Sequence, residues 1–194
     1  MTRRLPTEQR RLQITDAALK VIAEQGLGRF TTQAIAAEVG ITDGTLFRHF
    51  SSKEDIVLAA LDRVEATLFE GFPPTDPDPL VRLEQLFRFR AALVWENPVI
   101  ARFAFSEELP HAAGDAGARQ VSSWKRRTLE FITACIADAQ ARGQLASGLI
   151  PGDLAIVVLG TLMALIKLGP AAGGPDAVDR MWAVIARLFP AVPS

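Results

Sequence analysis

Residues 31–50, "TTQAIAAEVGITDGTLFRHF", place a small residue at Ala36, a glycine at Gly40 and apolar side chains at Ile41 and Leu46. Few folds need that spacing. Ala36 lets a second helix cross closely, Gly40 makes a left-handed bend that other residues resist, and Ile41 with Leu46 holds the crossing angle. Thr31 or Thr32 caps the first helix through a side-chain oxygen, and Ile35 and Val39 point inward with Ala36 and Ala37 beside them. Thr42 or Asp43 caps the second helix, whose inward residues are Leu46, Phe47 and Phe50. The spacing predicts a helix-turn-helix.

The second helix, read as residues 43–50, is about 12 Å long at 1.5 Å per residue. A DNA major groove is about as wide. The outward residues are Thr42, Asp43, Gly44, Thr45, Arg48 and His49, with Asp43 better placed to cap than to read a base. Gly44 is a poor helix former, but its missing side chain lets the backbone approach another surface. In the following "FSSKED", Ser51 or Ser52 caps a third helix and Glu54 or Asp55 closes a capping box. Lys53 then lies in a first turn, where N–H groups and a cation jointly suit a phosphate. Arg3, Arg4, Arg10 and Arg11 form a basic N-terminal group, read either as an arm along DNA or as a solvated tail.

Helical periodicity continues through the chain. Ile14, Ala18, Val21 and Ile22 mark a helix stopped by Gly26, and Ile56, Leu61, Val64 and Leu68 mark another. "GFPPTDPDP" (71–79) cannot continue a helix and reads as a hinge or linker. Helices are expected at 80–95, 97–105, 118–141, 151–168 and 175–189, with a loop at 110–118. No stretch alternates as a strand does. The fold class is all-α: an N-terminal three-helix helix-turn-helix domain (1–52) joined to a C-terminal helical bundle (53–194), about nine helices in total.

The chain has 194 residues, a formal net charge of −1 and one cysteine, Cys135, read as a small buried residue in a reducing cytosol. Neutrality overall hides an asymmetry: residues 1–53 hold eight Lys/Arg against five acids, a net of +3 that leaves −4 elsewhere. This permits a nucleic-acid face at the N-terminal end. The basic start precedes no apolar run, so no secretory signal is expected, and the apolar run 154–166 is short for a membrane span. Cytoplasmic localisation follows. His49 and His111 are the only histidines, and no zinc-ligand cluster, nucleophile elbow or phosphate loop is present. These absences read against an enzyme, and no cofactor or metal is expected.

"TTQAIAAEVGITDGTLFRHFSSKEDIVLAAL" resembles the DNA-binding signature of TetR-family transcriptional regulators over roughly residues 10–62, and "GITDGTLFRHFSSKEDI" is its most specific part. The rest is similar in helix number and lengths. The resemblance implies a two-domain, all-α homodimer that binds a palindromic operator and is released by a small-molecule effector; repressor is the reading carried forward, with activator left open. It implies DNA contacts at Thr32, Gln33, Thr42, Asp43, Gly44, Thr45, Arg48, His49 and Lys53. Where the family commonly has tyrosine this chain has Phe47, so no phosphate role is carried onto it. The rival reading is a helical small-molecule-binding or scaffold protein that does not bind DNA.

Aromatic residues crowd the middle helices, so an effector cavity is expected to be largely apolar, with Arg90, Thr128 and Thr161 as polar anchors. Its candidate lining is Phe87, Arg90, Trp95, Phe103, Trp124, Thr128, Phe131 and Thr161. Residues 151–168 are apolar nearly all round, and the last helix has more apolar residues than one stripe needs. The two helices are therefore expected to pair with their copies through Leu154, Val158, Leu162, Leu165, Met181, Trp182, Ile185 and Phe189. Gly160 and Ala164 would allow a close approach.

Overall fold

The computed structural model describes residues 6–26, 30–97, 99–100, 111–174 and 176–188. They form eight α-helices: α1 (Thr7–Gln25), α2 (Thr32–Val39), α3 (Asp43–Leu46), α4 (Lys53–Leu68), α5 (Pro79–Glu96), α6 (Gly114–Ala141), α7 (Pro151–Leu168) and α8 (Asp176–Leu188). A 3-10 turn, Gly169–Ala172, follows α7. Among the described residues there is no strand. The all-α expectation is met, while the helix expected at 97–105 lies almost wholly outside the described residues. Helix α6 begins four residues earlier than expected, directly after the loop's first turns.

The chain divides into two compact units, residues 1–67 with 98–122 and residues 68–97 with 123–194. The division falls inside α4 and α6. In the first unit α1 packs on α2 and α2 on α3. Ile14, Ala18, Val21 and Ile22 of α1 are buried with Phe30, Ile35, Leu46 and Phe50. Helix α4 adds Ile56, Ala60 and Val64 at every fourth position, with Val57 and Leu61 beside them. Burying each large side chain contributes about 1.5–3 kcal/mol relative to leaving it in water. Gln120 of α6 donates to Asp62 and Glu65 of α4, each at 2.8 Å.

In the second unit α5, α7 and α8 pack on one another. The core holds Leu83, Leu86, Phe87 and Val94 of α5, Ile132, Cys135 and Ile136 of α6, Val158, Leu162 and Leu165 of α7, and Ile185 of α8. Asp78 caps α5 by accepting from the Leu80 N–H at 2.9 Å, with Pro79 in the first turn. The proline-rich stretch before it is pinned rather than loose. Arg82 reaches Asp76 O and Arg142 reaches Pro77 O, at 2.8 and 2.7 Å, while both bond Asp138. Helix α7 is long and apolar enough to cross a membrane by length and composition alone. Its packing on α5 and α8 nevertheless puts one face in the core.

Candidate nucleic-acid interface and effector site

Thr31, not Thr32, caps α2: its hydroxyl accepts from the Ala34 N–H at 3.1 Å. Gly40 ends that helix at φ 71°, ψ 37°, and the Ile41 N–H returns to Ala36 O at 2.9 Å. The bend expected at Gly40 is therefore present. Thr42, not Asp43, caps α3, accepting from the Thr45 N–H at 3.2 Å and meeting the Thr45 hydroxyl at 3.0 Å. Ser52 caps α4 by accepting from the Asp55 N–H at 3.1 Å. At each of these three helix starts one otherwise orphaned first-turn N–H is met by a hydroxyl.

The second helix is shorter than the spacing predicts. Regular α geometry covers Asp43–Leu46, and the chain then tightens, with Arg48 N bonded to Thr45 O and His49 N to Leu46 O. Phe47, its N–H still bonded to Asp43 O, is 47% exposed, against the expectation that it points inward. Leu46 and Phe50 are buried as expected; Ile41 and Val39 are only partly so, and Ala37 is exposed. Gln33, Thr42, Gly44, Arg48 and Lys53 are exposed, and Thr32, Asp43, Thr45 and His49 are half-buried. Asp43 Oδ1 and His49 Nδ1 are buried without a partner among the described residues, so each side chain turns one polar atom inward.

One residue of this site is not visible as such in the sequence. Arg11, grouped there with a basic arm, donates to the backbone oxygen of His49 and lies 4.1 Å over the Phe50 ring. It ties α1 to the end of the recognition turn. Lys53 Nζ lies 4.9 Å from the Phe30 ring centroid, which orders its stem while the residue stays exposed. Lys20 pairs with Glu38 at 2.6 Å, joining α1 to α2; that bond holds the ammonium above the ordinary lysine range.

In the second unit the aromatic residues converge on arginine. Phe69 and Phe72 meet edge-on with centroids 5.2 Å apart, and Phe131 tilts against Phe72 at 5.0 Å. Arg90 lies 4.5 Å and Arg127 4.0 Å from the Phe69 centroid. Arg90 is 5% exposed, and its Nε and Nη2 have no partner among the described residues. Burial first, and Arg127 second, push its guanidinium down to about 10, which leaves it protonated at neutral pH. Beside this cluster lies an open cleft of about 450 Å³, lined by Phe72, Pro73, Pro74, Gln85, Leu86 and Phe89 among others.

The expected lining is brought together only in part. Trp95 and Trp124 have buried indole nitrogens without partners, and Phe103 lies outside the described residues. Phe87 stacks instead on Trp182, centroids 5.6 Å apart. The hydroxyls of Thr128 and Thr161 are spent on Trp124 O and Val157 O of their own helices, at 2.9 and 2.8 Å. Of the three expected polar anchors, Arg90 alone keeps its donors. Arg127, absent from that expectation, joins it.

Residues 14–60 match the family of bacterial regulatory proteins, tetR family. Over 94% of this chain and 95% of its own length, the nucleoid occlusion factor SlmA of Pasteurella multocida is 23% identical. The fatty acid metabolism regulator protein of Bacillus subtilis is 44% identical over 48 residues, a quarter of each chain. Among solved structures, AibR in complex with isovaleryl coenzyme A and operator DNA superposes with a TM-score of 0.74 at 22% identity, covering 94% of this chain and all of that one. Residues 14–60 are thus a tetR-family region. The family match spans the helix-turn-helix and the first half of α4, and the structural likeness shows that the fold extends through the second unit.

The surface available for self-association differs from the one expected. Val158, Leu162, Leu165 and Ile185 are buried in the chain's own core, because α7 turns that face toward α5 and α8. Leu154, Met181 and Trp182 are half-buried, and Phe189 lies outside the described residues. The outward apolar face is instead Ile156 (61% exposed), Val157, Leu168 and Val184, flanked by exposed Gly160 and Ala164.

Proposed function

We propose that the protein is a ligand-responsive transcriptional regulator, a repressor that binds a palindromic operator as a homodimer and leaves it when a small molecule occupies the second unit. The observation that carries the reading is the capped helix-turn-helix, with Gln33, Thr42, Gly44, Arg48 and Lys53 all exposed on it. On this reading Arg48 and its neighbours contact base edges, while Thr32 and Lys53 hold phosphates. The DNA-binding part ends near residue 52, and the remainder serves effector binding and self-association. Pairing uses the Ile156, Val157 and Val184 face, with Gly160 and Ala164 admitting the partner helix. A dimer sets two recognition helices about 34–36 Å apart, one DNA turn.

The likeness to AibR, whose solved complex holds both isovaleryl coenzyme A and operator DNA, supports release by an organic effector. A second reading comes from the nucleoid occlusion factors, to which the likeness runs over nearly the whole chain: a DNA-bound factor that no small molecule releases. Selection of a bound site from random duplex DNA with the purified protein tests both. Recovery of a two-fold symmetric site supports the proposal, and absence of any selected site overturns it. Loss of that binding on adding an effector separates regulator from unswitched factor.

A further inference from the structure

Two arginines crowd one aromatic pair in the second unit, and among the described residues no ion pair neutralises either of them. Arg90 and Arg127 both lie within 4.5 Å of the Phe69 centroid, and both also flank Phe72. The cation–π contacts bring each guanidinium carbon against the rings without a hydrogen-bond acceptor. They leave the edge donors of Arg90 unused. Nε and Nη2 are both enclosed and have no acceptor among the described residues. A buried charge is ordinarily paired and hydrogen-bonded, because burial strips its hydration. Arg82 in the same unit obeys that rule, with Asp138 and Asp76 O both at 2.8 Å. Arg90 breaks it.

The geometry of the empty edge is informative. Nε–H and the Nη2–H beside it point in parallel, which is the fork that matches the two oxygens of a carboxylate. Phe72 lies over this cluster and also lines the neighbouring cleft of about 450 Å³, so that one ring is common to the buried charge and to open space. The cleft's other walls include Pro73, Pro74, Leu86 and Phe89, which suit hydrocarbon, while Glu70, Thr75 and Gln85 give it a polar side. We propose that the Nε–Nη2 edge of Arg90 is the head-group site for an effector carrying one carboxylate on an apolar body, with the body in the cleft and Arg127 supplying a second positive charge. Because Nε and Nη2 are enclosed, entry of the carboxylate displaces the side chains that cover them. The proposal rests on reading the second unit as the effector unit. It changes that reading's chemistry from apolar to amphiphilic. Burial and the like charge of Arg127, which together depress Arg90, are the stress that a bound anion relieves.

The test is a thermal-shift titration of the whole protein without DNA, using octanoate, 1-octanol and inorganic phosphate. Octanoate is expected to raise the Tm saturably, as a ligand of the folded state does. 1-Octanol tests the apolar body alone and phosphate the bare anion; each is expected to give little shift. Arg90→Met is expected to lose the octanoate shift while melting no lower than the parent without ligand, because an unpaired buried charge has been removed. Arg90→Lys keeps a charge but loses the fork, so its apparent Kd for octanoate is expected to rise at least about tenfold. Arg126→Ala, an exposed neighbour paired with Glu130, controls for net charge and is expected to keep the shift. The proposal is overturned if octanoate gives no shift, if the shift is equal in parent and Arg90→Lys, or if 1-octanol or phosphate alone matches octanoate. An Arg90→Met protein that melts well below the parent identifies a structural brace and also overturns it. Octanoate that binds through Arg90 yet leaves operator affinity unchanged upholds the site and counts against release as the function.

Discussion

The helix-turn-helix and the arginine cluster handle polar groups in opposite ways. In the first, Thr31, Thr42 and Ser52 satisfy helix N-termini locally, and the residues left exposed face water, ready to exchange it for DNA. In the second, Arg90 is enclosed with two donors unspent. A surface site can stay stable while its groups are unoccupied, because water serves them. A buried one stores its cost in the folded chain until a ligand arrives. The contrast predicts that changes at the DNA face alter binding with little effect on stability, whereas changes at buried positions alter both.

The largest expected effect breaks binding alone. Gly44 is exposed, its φ is ordinary, and an added Cβ would meet only Thr42 Oγ1 at 4.0 Å. Gly44→Leu is therefore expected to leave the Tm level or higher, since leucine is the better helix former by about 0.8–1 kcal/mol. Operator binding is expected to fall beyond about a hundredfold, if the DNA backbone or a base edge comes within side-chain distance of residue 44. A folded Gly44→Leu protein with parental affinity by mobility shift would show that no such approach occurs.

Next in size is the outward face of α7. Ile156→Glu adds a charge where the chain itself packs nothing, so the monomer is expected to stay folded while the dimer dissociates at micromolar concentration. Leu162→Glu, by contrast, puts a charge into a buried position and is expected to unfold the unit. Light scattering with circular dichroism separates the two outcomes. A dimer retained by Ile156→Glu would show that copies pair through another surface.

The substitutions at the two classes of DNA contact sharpen the comparison further. Arg48→Ala is expected to weaken the selected site by about 1–3 kcal/mol and relax specificity at one base pair. Lys53→Ala is expected to weaken all sequences alike and reduce the salt slope by about one. Competition assays at several salt concentrations decide this. Equal loss on selected and random DNA for both variants would remove base reading from Arg48.

The helix-turn-helix was legible because its signals are local: a small residue, a left-handed glycine and hydroxyl caps act within a few positions of one another. The remaining ambiguity there was equally local. Thr31 and Thr42 cap because each stands in extended backbone just before its helix, at ψ 154° and 156°, which adjacency alone does not reveal. Phe47 was misplaced because an aromatic beside Leu46 reads as core, whereas Leu46 and Phe50 alone are buried in this short segment and Phe47 is left 47% exposed. Arg11 was missed as a brace because its partners, His49 and Phe50, are nearly forty positions away. On α7 the sequence carried apolar residues on both faces, so periodicity could not say which face meets α5 and α8. The inward set, Val158, Leu162 and Leu165, was therefore read as outward. Arg90 was legible as a polar residue among aromatics; its lack of a partner is a property of three dimensions and leaves no trace in composition.

The smallest expected effect compares Arg90 with Arg82, its paired counterpart. Asp138 accepts from Arg142 and Arg82, and those bonds hold its carboxyl below the ordinary value of 3.8. A carboxyl whose folded pKa is depressed contributes stability above its unfolded pKa and loses it as pH falls through the folded one. Asp138→Asn is therefore expected to melt below the parent at pH 6, and the gap is expected to close as pH drops below about 3.8. The gap will be small, because the pair is partly exposed and screened by solvent. Thermal melts of parent and variant between pH 6 and pH 2.5 provide the reading. A gap that persists unchanged into acid would mean that Asp138 acts through shape or backbone bonding rather than charge, and Arg82 would then be held by Asp76 O more than by its carboxylate. A gap that closes shows the satisfied arginine of this unit drawing on a titratable partner, the kind of partner that among the described residues Arg90 lacks.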